Sequence, residues 1–337
     1  MSRAGTPGTR RRGVALIIVL WVLMVLSLLI SGFAFRMHVE TQVASFSRKE
    51  LKAEMLARSG IEIARMQLIL DQSSPTNSGF DALNQAWATN AELYVDQPLG
   101  DGKYNVTVID EESKLQINRL TQEQLKRLMD VLGVDPSDGD VIVDSILDWI
   151  DQDDLHRLNG AENDYYESLS PPYACKDGPL DRVEELLLIR GVTKEIYSGE
   201  PATEDAAARP GLGDLVTTLS SGQVNINTAP APVLEALLGL DESQISVIMN
   251  RRDGGDGVAG TEDDQPFRSV EEFVTQLGSI PDQAKQQLGQ VLTVNSTFFT
   301  VKSTGEVGGV KRTVQAVLRR QGAEIQTVTW KEIRGGA

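Results

Sequence analysis

Arg10-Arg11-Arg12-Gly13, followed by Val14-Ala15-Leu16-Ile17-Ile18-Val19-Leu20-Trp21, decides how the rest of this chain is read. From Val14 to Phe35 there are 22 consecutive residues without a charge, closed by Arg36. At helical rise such a run reaches roughly 33 Å, enough to cross the hydrocarbon of a bilayer. Arg3, Arg10, Arg11 and Arg12 precede it with no acidic residue among them. Basic flanks stay in the cytoplasm, so the N-terminus is expected inside and the large remainder outside.

A cleaved secretory signal has an apolar stretch of only about 7 to 15 residues and a small-x-small site after it. Here the run is longer and Phe33-Ala34-Phe35 spoils the site. A plain signal anchor is the bland alternative. The favoured reading is a leader resembling those of prepilins, cut after Gly13, so that the apolar helix stays on the mature protein with Val14 as its first residue. Prepilin-type starts usually carry a glutamate at mature position five, where this chain has Ile18.

The chain has 337 residues, 41% hydrophobic and 24% charged, which is globular composition with room for two or three domains beyond the anchor. Net charge is −16. The five arginines before Met37 are matched by no acid, so the remainder carries −21. Such a surface repels phosphate backbones and attracts cations. Cys175 is the single cysteine, which rules out an internal disulfide and disfavours a cysteine-ligated zinc site. His38 and His156 are too few and too far apart to suggest a histidine cluster.

Helical periodicity continues past the apolar run. Val39, Val43 and Phe46 step by four and three, and Leu56, Ile63, Met66 and Leu70 by seven, three and four, with Arg48, Lys49, Glu50, Lys52 and Glu54 on the wet side. One helix is therefore expected from Val14 to about Leu70, roughly 85 Å long, with its outer apolar residues facing a core. Asp71 to Asn77 ends it with turn chemistry and a proline. From Gly102 the period becomes two: Lys103 to Asp110 and Lys114 to Asn118 alternate around Glu111-Glu112-Ser113 and read as a hairpin. A similar stretch returns at Thr297 to Gly305, a Gly308-Gly309 turn and Thr313 to Arg319, with a further strand in Ile325 to Trp330. One small antiparallel sheet is expected, interrupted by a helical insertion and covered by the long helix.

The insertion reads as short capped helices, with capping boxes at Thr121-x-x-Gln124, Asp181-x-x-Glu184 and Ser269-x-x-Glu272. Twice the pattern helix, glycine turn, helix recurs: Val183 to Arg190 with Gly191-Val192-Thr193, and Val233 to Leu238 with Gly239-Leu240-Asp241 leading into Glu242 to Arg252. These look like helix-hairpin-helix units, and the second, from Val224 to Ser269, is similar to the small DNA-binding module of competence proteins. Phosphate binding needs open N–H groups at a helix start, and Asp241-Glu242 puts two carboxylates there. No nucleic acid is expected as a partner.

Two acidic loops are candidate metal sites. Asp148, Asp151, Asp153, Asp154, Glu162 and Asp164 gather hard oxygen ligands around Asn159-Gly160, though without the spacing of an EF-hand. Asp253, Asp256, Asp263 and Asp264 flank a glycine-rich turn resembling the Asp-Gly calcium repeats of extracellular proteins. A solvated acidic loop and a flexible insertion are the respective alternatives. No GxSxG, phosphate loop, dinucleotide fingerprint or HExxH occurs, and no enzyme is expected.

The stretch from Arg12 to Leu23 resembles the start of the minor pseudopilin K family of type II secretion systems. The resemblance extends through Ile146-Leu147-Asp148-Trp149-Ile150-Asp151-x-Asp153, Gly160-Ala161-Glu162 with Tyr165-Tyr166, Pro171-Pro172-Tyr173, Glu184-Glu185-Leu186 with Gly191, and Asn225-Ile226-Asn227-Thr228-Ala229. In that family the missing glutamate, here Ile18, is usual and linked to a place at the filament tip; calcium has been associated with it. The resemblance implies an α+β pseudopilin fold: a long N-terminal transmembrane helix, a small antiparallel sheet and a large all-helical insertion of helix-hairpin-helix or SAM-like type. Expected boundaries are 1–13 leader, 14–36 transmembrane helix, 37–72 periplasmic half of the helix, 73–120 first part of the pilin domain, 121–295 insertion (units about 121–215 and 224–292) and 296–337 C-terminal strands. It further implies processing at Gly13 and Val14, an assembly helix bearing Ile18, Val39, Val43 and Phe46, and a bacterial inner membrane location with the bulk in the periplasm. The partners implied are other minor pseudopilins and the pseudopilus, prepilin peptidase and the inner-membrane assembly platform; the cofactor is structural calcium. The role implied is to initiate or cap the filament at its tip. The alternatives are a membrane-anchored DNA-uptake receptor and an anchored periplasmic hydrolase.

Overall fold

The computed structural model describes residues 11–75, 77, 79–201, 208–277, 288–322 and 324–333, so residues 1–10 of the expected leader lie outside the described part. The first element, α1 (Arg11–Ser73), is one continuous helix of 63 residues, about 95 Å at helical rise. Two short helices, α2 (Ala86–Thr89) and α3 (Ala91–Tyr94), lead into strands β1 (Gln97–Leu99) and β2 (Gly102–Asp110). The chain then leaves the sheet at a 3-10 turn, Glu111–Ser113, in which the Asp110 carboxylate accepts the Glu112 N–H at 2.9 Å.

Next come β3 (Leu115–Gln116), α4 (Gln122–Val131), α5 (Pro136–Ile150), α6 (Asn163–Tyr166), α7 (Lys194–Ser198), α8 (Leu212–Leu215), β4 (Val216–Thr217), β5 (Val224–Asn225), α9 (Ala231–Leu238), α10 (Glu242–Arg252), α11 (Val270–Gln276) and β6 (Leu292–Thr293). The chain returns to the sheet with β7 (Phe298–Val307), β8 (Val310–Gln321) and β9 (Glu324–Ile333). The five-stranded sheet has the order β1-β2-β7-β8-β9 and is antiparallel throughout. The fold is thus α+β: a long apolar-headed helix, an antiparallel sheet and a helical body between β2 and β7.

The sheet sits on only part of α1. Ala53, Ala57, Gly60 and Ala64 recur on one face and are buried against it. A Cβ at Gly60 would overlap Ser303 Oγ and Val106, and one at Gly305 would overlap the Ala53 carbonyl. Small residues on both sides bring helix and strand backbones close, while Leu56, Ile61 and Leu68 fill the flanks with Phe299, Val301 and Val314. Trp87 meets Phe299 edge-on at 5.2 Å, the offset geometry aromatic rings prefer.

Several expectations are corrected. Of the apolar residues read as core-facing on α1, Leu56 is buried and Ile63 half-buried, but Val39, Val43, Phe46, Met66 and Leu70 are exposed. The sheet does not extend below Lys49, and its contact face selects small side chains rather than large ones. The hairpin expected across 103–118 does not form: β2 pairs with β7, some 190 residues later in the chain, and Leu115–Gln116 pairs in parallel with β4. The turn at Glu111–Ser113 turns the strand out of the sheet plane.

The segment Val183–Leu188 is a 3-10 helix, and Glu185 rather than Glu184 accepts the N–H groups of Asp181 and Arg182. Within the stretch expected as the first unit, 121–215, a further helix, turn, helix arrangement is made by α4 and α5, joined through Gly133 at φ +70. The two units expected in the insertion also share one core, in which Leu125, Ile142, Trp149, Val233, Phe267 and Phe273 belong to a single buried cluster. In contrast, Thr121, Asp241 and Ser269 cap their helices, and Gly308-Gly309 makes the β7–β8 turn with φ +54 and +83.

Candidate functional site

Every residue of α1 from Val14 to Arg48 is exposed. Gly13 lies within the helical backbone, and none of the apolar stretch that follows it is buried. Ile18, Val39, Val43 and Phe46, at 57, 41, 60 and 53% exposure, touch no core. Such a surface is stable only in lipid or against other helices.

The far end of α1 meets the insertion. The Gly308 turn lies beside Lys49, whereas Asp71 lies beside Asp81 and Arg320 where the insertion joins the sheet. The helical body therefore stands at the end of the sheet away from the apolar segment.

The first acidic loop divides its carboxylates between two jobs. Asp144, not singled out in the sequence, accepts the Asn159 N–H and side-chain amide at 3.1 and 3.0 Å. Buried Asp148 accepts the Arg157 N–H at 3.0 Å and its guanidinium at 2.5 Å, and the same Nη1 donates to Asp151 at 2.7 Å. Gly160 is required here because a Cβ would overlap the Asp148 carboxylate. Asp153, Asp154 and Asp164 accept from Leu155 N–H, the Asn163 amide and Tyr165 N–H and point to solvent.

Glu162 is different. It is 2% exposed, and neither of its carboxylate oxygens accepts an N–H or O–H, the Cys175 thiol being the neighbouring donor. Cys175 and Asp177 each bring one ligand atom to it, the three lying within 4.8 Å of one another. Asp177 Oδ1 and Asp151 Oδ1 are also buried without partners, and Asp177 holds φ +50. Burial pushes the Glu162 carboxyl up to about 7, and the charges of Asp148, Asp151 and Asp177 push the same way. Burial likewise pushes the Cys175 thiol up to about 12, so it is neutral and an unsuitable ligand for a hard cation. Of the six residues predicted here, only Glu162 belongs to this cluster; Cys175 and Asp177 come from a distant stretch without the spacing of a ligand motif.

The second acidic loop is braced by itself. Asp253 pairs with buried Arg252 at 2.7 Å. Asp256 accepts Val258 N–H, Asp263 accepts Gly255 N–H and the Thr261 hydroxyl, and Asp264 accepts Gly260 N–H. Positive φ at Gly254, Gly257 and Gly260 makes these turns possible. Among the described residues, these carboxylates form no three-ligand cluster. At the α9–α10 turn, the Asp241 carboxylate accepts Gln244 N–H at 2.9 Å and the Ser243 hydroxyl at 2.5 Å. It occupies the helix start that a phosphate would need.

A single apolar helix carrying an antiparallel sheet on its outer half defines a membrane-anchored, pilin-like protein. Residues 102–199 and 224–295, together half of the chain, match the two domains of the family described as type II secretion system protein K. The chain belongs to that family. Protein K of Aeromonas hydrophila is 27% identical over 98% of this chain and 99% of its own length. That of Pseudomonas aeruginosa is 25% identical over 92% and 89%. Among solved structures, the GspK-GspI-GspJ complex from enterotoxigenic Escherichia coli contains a chain with the same fold, at TM-score 0.68 and 22% identity, covering 88% of this chain and 100% of that one.

Proposed function

We propose that this chain is the minor pseudopilin that stands at the tip of a type II secretion pseudopilus and initiates or caps its assembly. The observation that carries the reading is the placement of the helical insertion at the membrane-distal end of the sheet, where a following subunit would otherwise stack. Beneath it, an unpartnered apolar helix from Val14 to Phe46 offers the surface for lateral packing with other pseudopilins. Solved relatives support this choice of partner, since the matched chain of the Escherichia coli complex is assembled with GspI and GspJ. Ile18 fits a tip position, because no subunit above presents an amino terminus needing a carboxylate. Prepilin peptidase acts after Gly13, and the assembly platform receives the processed chain in the inner membrane with its bulk in the periplasm. Nothing in the α9–α10 turn favours a DNA-uptake role.

The test is substitution of Gly13. Loss of processing together with loss of secretion is expected for Gly13→Val; unchanged size on a gel, with secretion intact, would refute the reading.

The same proposal includes a structural calcium ion at Glu162, with Asp177 as the second oxygen donor. The three unpartnered carboxylate oxygens, two of Glu162 and one of Asp177, fit part of the shell of a hard divalent cation, which takes six to eight oxygens. Bound there, the ion would tie the start of α6 to the Cys175–Asp177 segment.

A further inference from the structure

The insertion and the sheet are joined by a buried polar clasp rather than by apolar packing alone. Asp81, Asp110, Glu112, Asn225, Thr228 and Ser296 are each 5% exposed or less. From the insertion side, the Thr228 hydroxyl donates to Asp110 Oδ2 at 2.5 Å and the Asn225 amide donates to the same oxygen at 3.3 Å. The Ser296 hydroxyl donates to it at 2.6 Å.

Glu112 accepts the Ser221 N–H at 3.0 Å through one oxygen, and the Thr297 and Phe298 N–H groups at 3.2 and 2.9 Å through the other. Asp81 accepts the Ser296 N–H at 2.6 Å and is paired with Arg320. Three buried carboxylates thus share one guanidinium, which is committed to Asp81. Two further buried carboxylates border the junction and bring no cation to Asp110 or Glu112. Glu111 accepts the Thr217 hydroxyl and lies 3.6 Å from Lys114, and Asp71 at the end of α1 accepts the Asn77 amide.

We propose that the clasp holds one proton, shared by the Asp110 and Glu112 carboxyls, and that this proton keeps the insertion docked on the end of the sheet. A second uncompensated charge in a dry junction costs several times what a hydrogen bond returns, so with the proton gone the junction opens and hydrates. Burial, together with the charges of Glu112 and Asp81, pushes the Asp110 carboxyl well above the usual carboxylate range, and burial raises Glu112 as well. In an opened junction these groups would titrate near the ordinary carboxylate values of about 4. The closed form therefore holds more protons between those limits. Its stability is full below the open-state value and falls as pH rises toward the folded one.

Hydrogen exchange on the full chain in detergent tests this at the Ser221, Thr297 and Phe298 amides, corrected for intrinsic rates. Opening is expected to rise by up to about tenfold per pH unit between about pH 6 and 8, as release of one proton requires. Asp110→Asn should flatten that dependence while leaving exchange in the α9 and α10 helices unchanged. Equal pH dependence in the variant, or none in the unmodified chain, overturns the proposal. Should the variant fail to fold, infrared spectroscopy of the unmodified protein decides. A protonated carboxyl band at neutral pH that vanishes by about pH 9 is expected, and its absence at neutral pH refutes the shared proton.

Discussion

Glu162 and Gly60 show how much a single position carries. Because the Glu162 carboxyl lies near 7, a proton competes with a cation for it. Calcium affinity is therefore expected to fall as pH drops through about 7, and calcium to raise the melting temperature at pH 8 more than at pH 6. Glu162→Gln should abolish the calcium-dependent shift while removing a buried unpaired charge, so the calcium-free variant melts at or above the unmodified protein. Calorimetry at millimolar calcium showing no heat would refute the site. Gly60 makes a packing prediction instead. In Gly60→Val the added side chain must push Ser303 and Val106 aside, and a loss of about 1–3 kcal/mol or more is expected, measured by denaturant unfolding. Neither position stood out in the sequence for these reasons: Glu162 was one acid among six, and Gly60 one glycine in a helix.

At the scale of elements, α1 carries two surfaces with different rules. Its upper half is held to the sheet by small residues, and its lower half is bare. Val43→Asp and Phe46→Asp lie below the sheet and are solvent-exposed. They should change the unfolding free energy of the part beyond the apolar segment by less than about 0.5 kcal/mol, yet abolish co-purification with partner pseudopilins from membranes. Retained co-purification would remove lateral helix packing from the mechanism. The helix itself is plain from its period, but of the large residues on its stripe Leu56 and Ile63 meet the core whereas Val39, Val43, Phe46, Met66 and Leu70 do not. Periodicity reports that a face is apolar and not what covers it. The α9–α10 turn and the caps at Thr121 and Asp241 were legible because they depend on residues within one turn of each other. The hairpin expected at 103–118 failed because alternation identifies a strand without naming its partner.

Across the whole molecule, charge is segregated. Residues 121–295 hold 33 acidic and 12 basic side chains, net −21, while residues 37–120 and 296–337 together are neutral. The helical body is thus a strongly acidic knob on a neutral, membrane-tethered stem, which disfavours polyanionic partners at long range. By itself, the order of residues determined the anchor, the one long helix, the strands flanking a helical insertion and the sign of the charge, because each follows from composition or from spacing within a few residues. Tertiary structure alone decided that β2 joins β7, that Glu162 meets Cys175 and Asp177 while its neighbouring aspartates turn away, and that three carboxylates crowd the junction with one arginine. Those contacts join residues far apart in the chain, and the energies that set them, close packing and desolvation, exist only once the elements have come together.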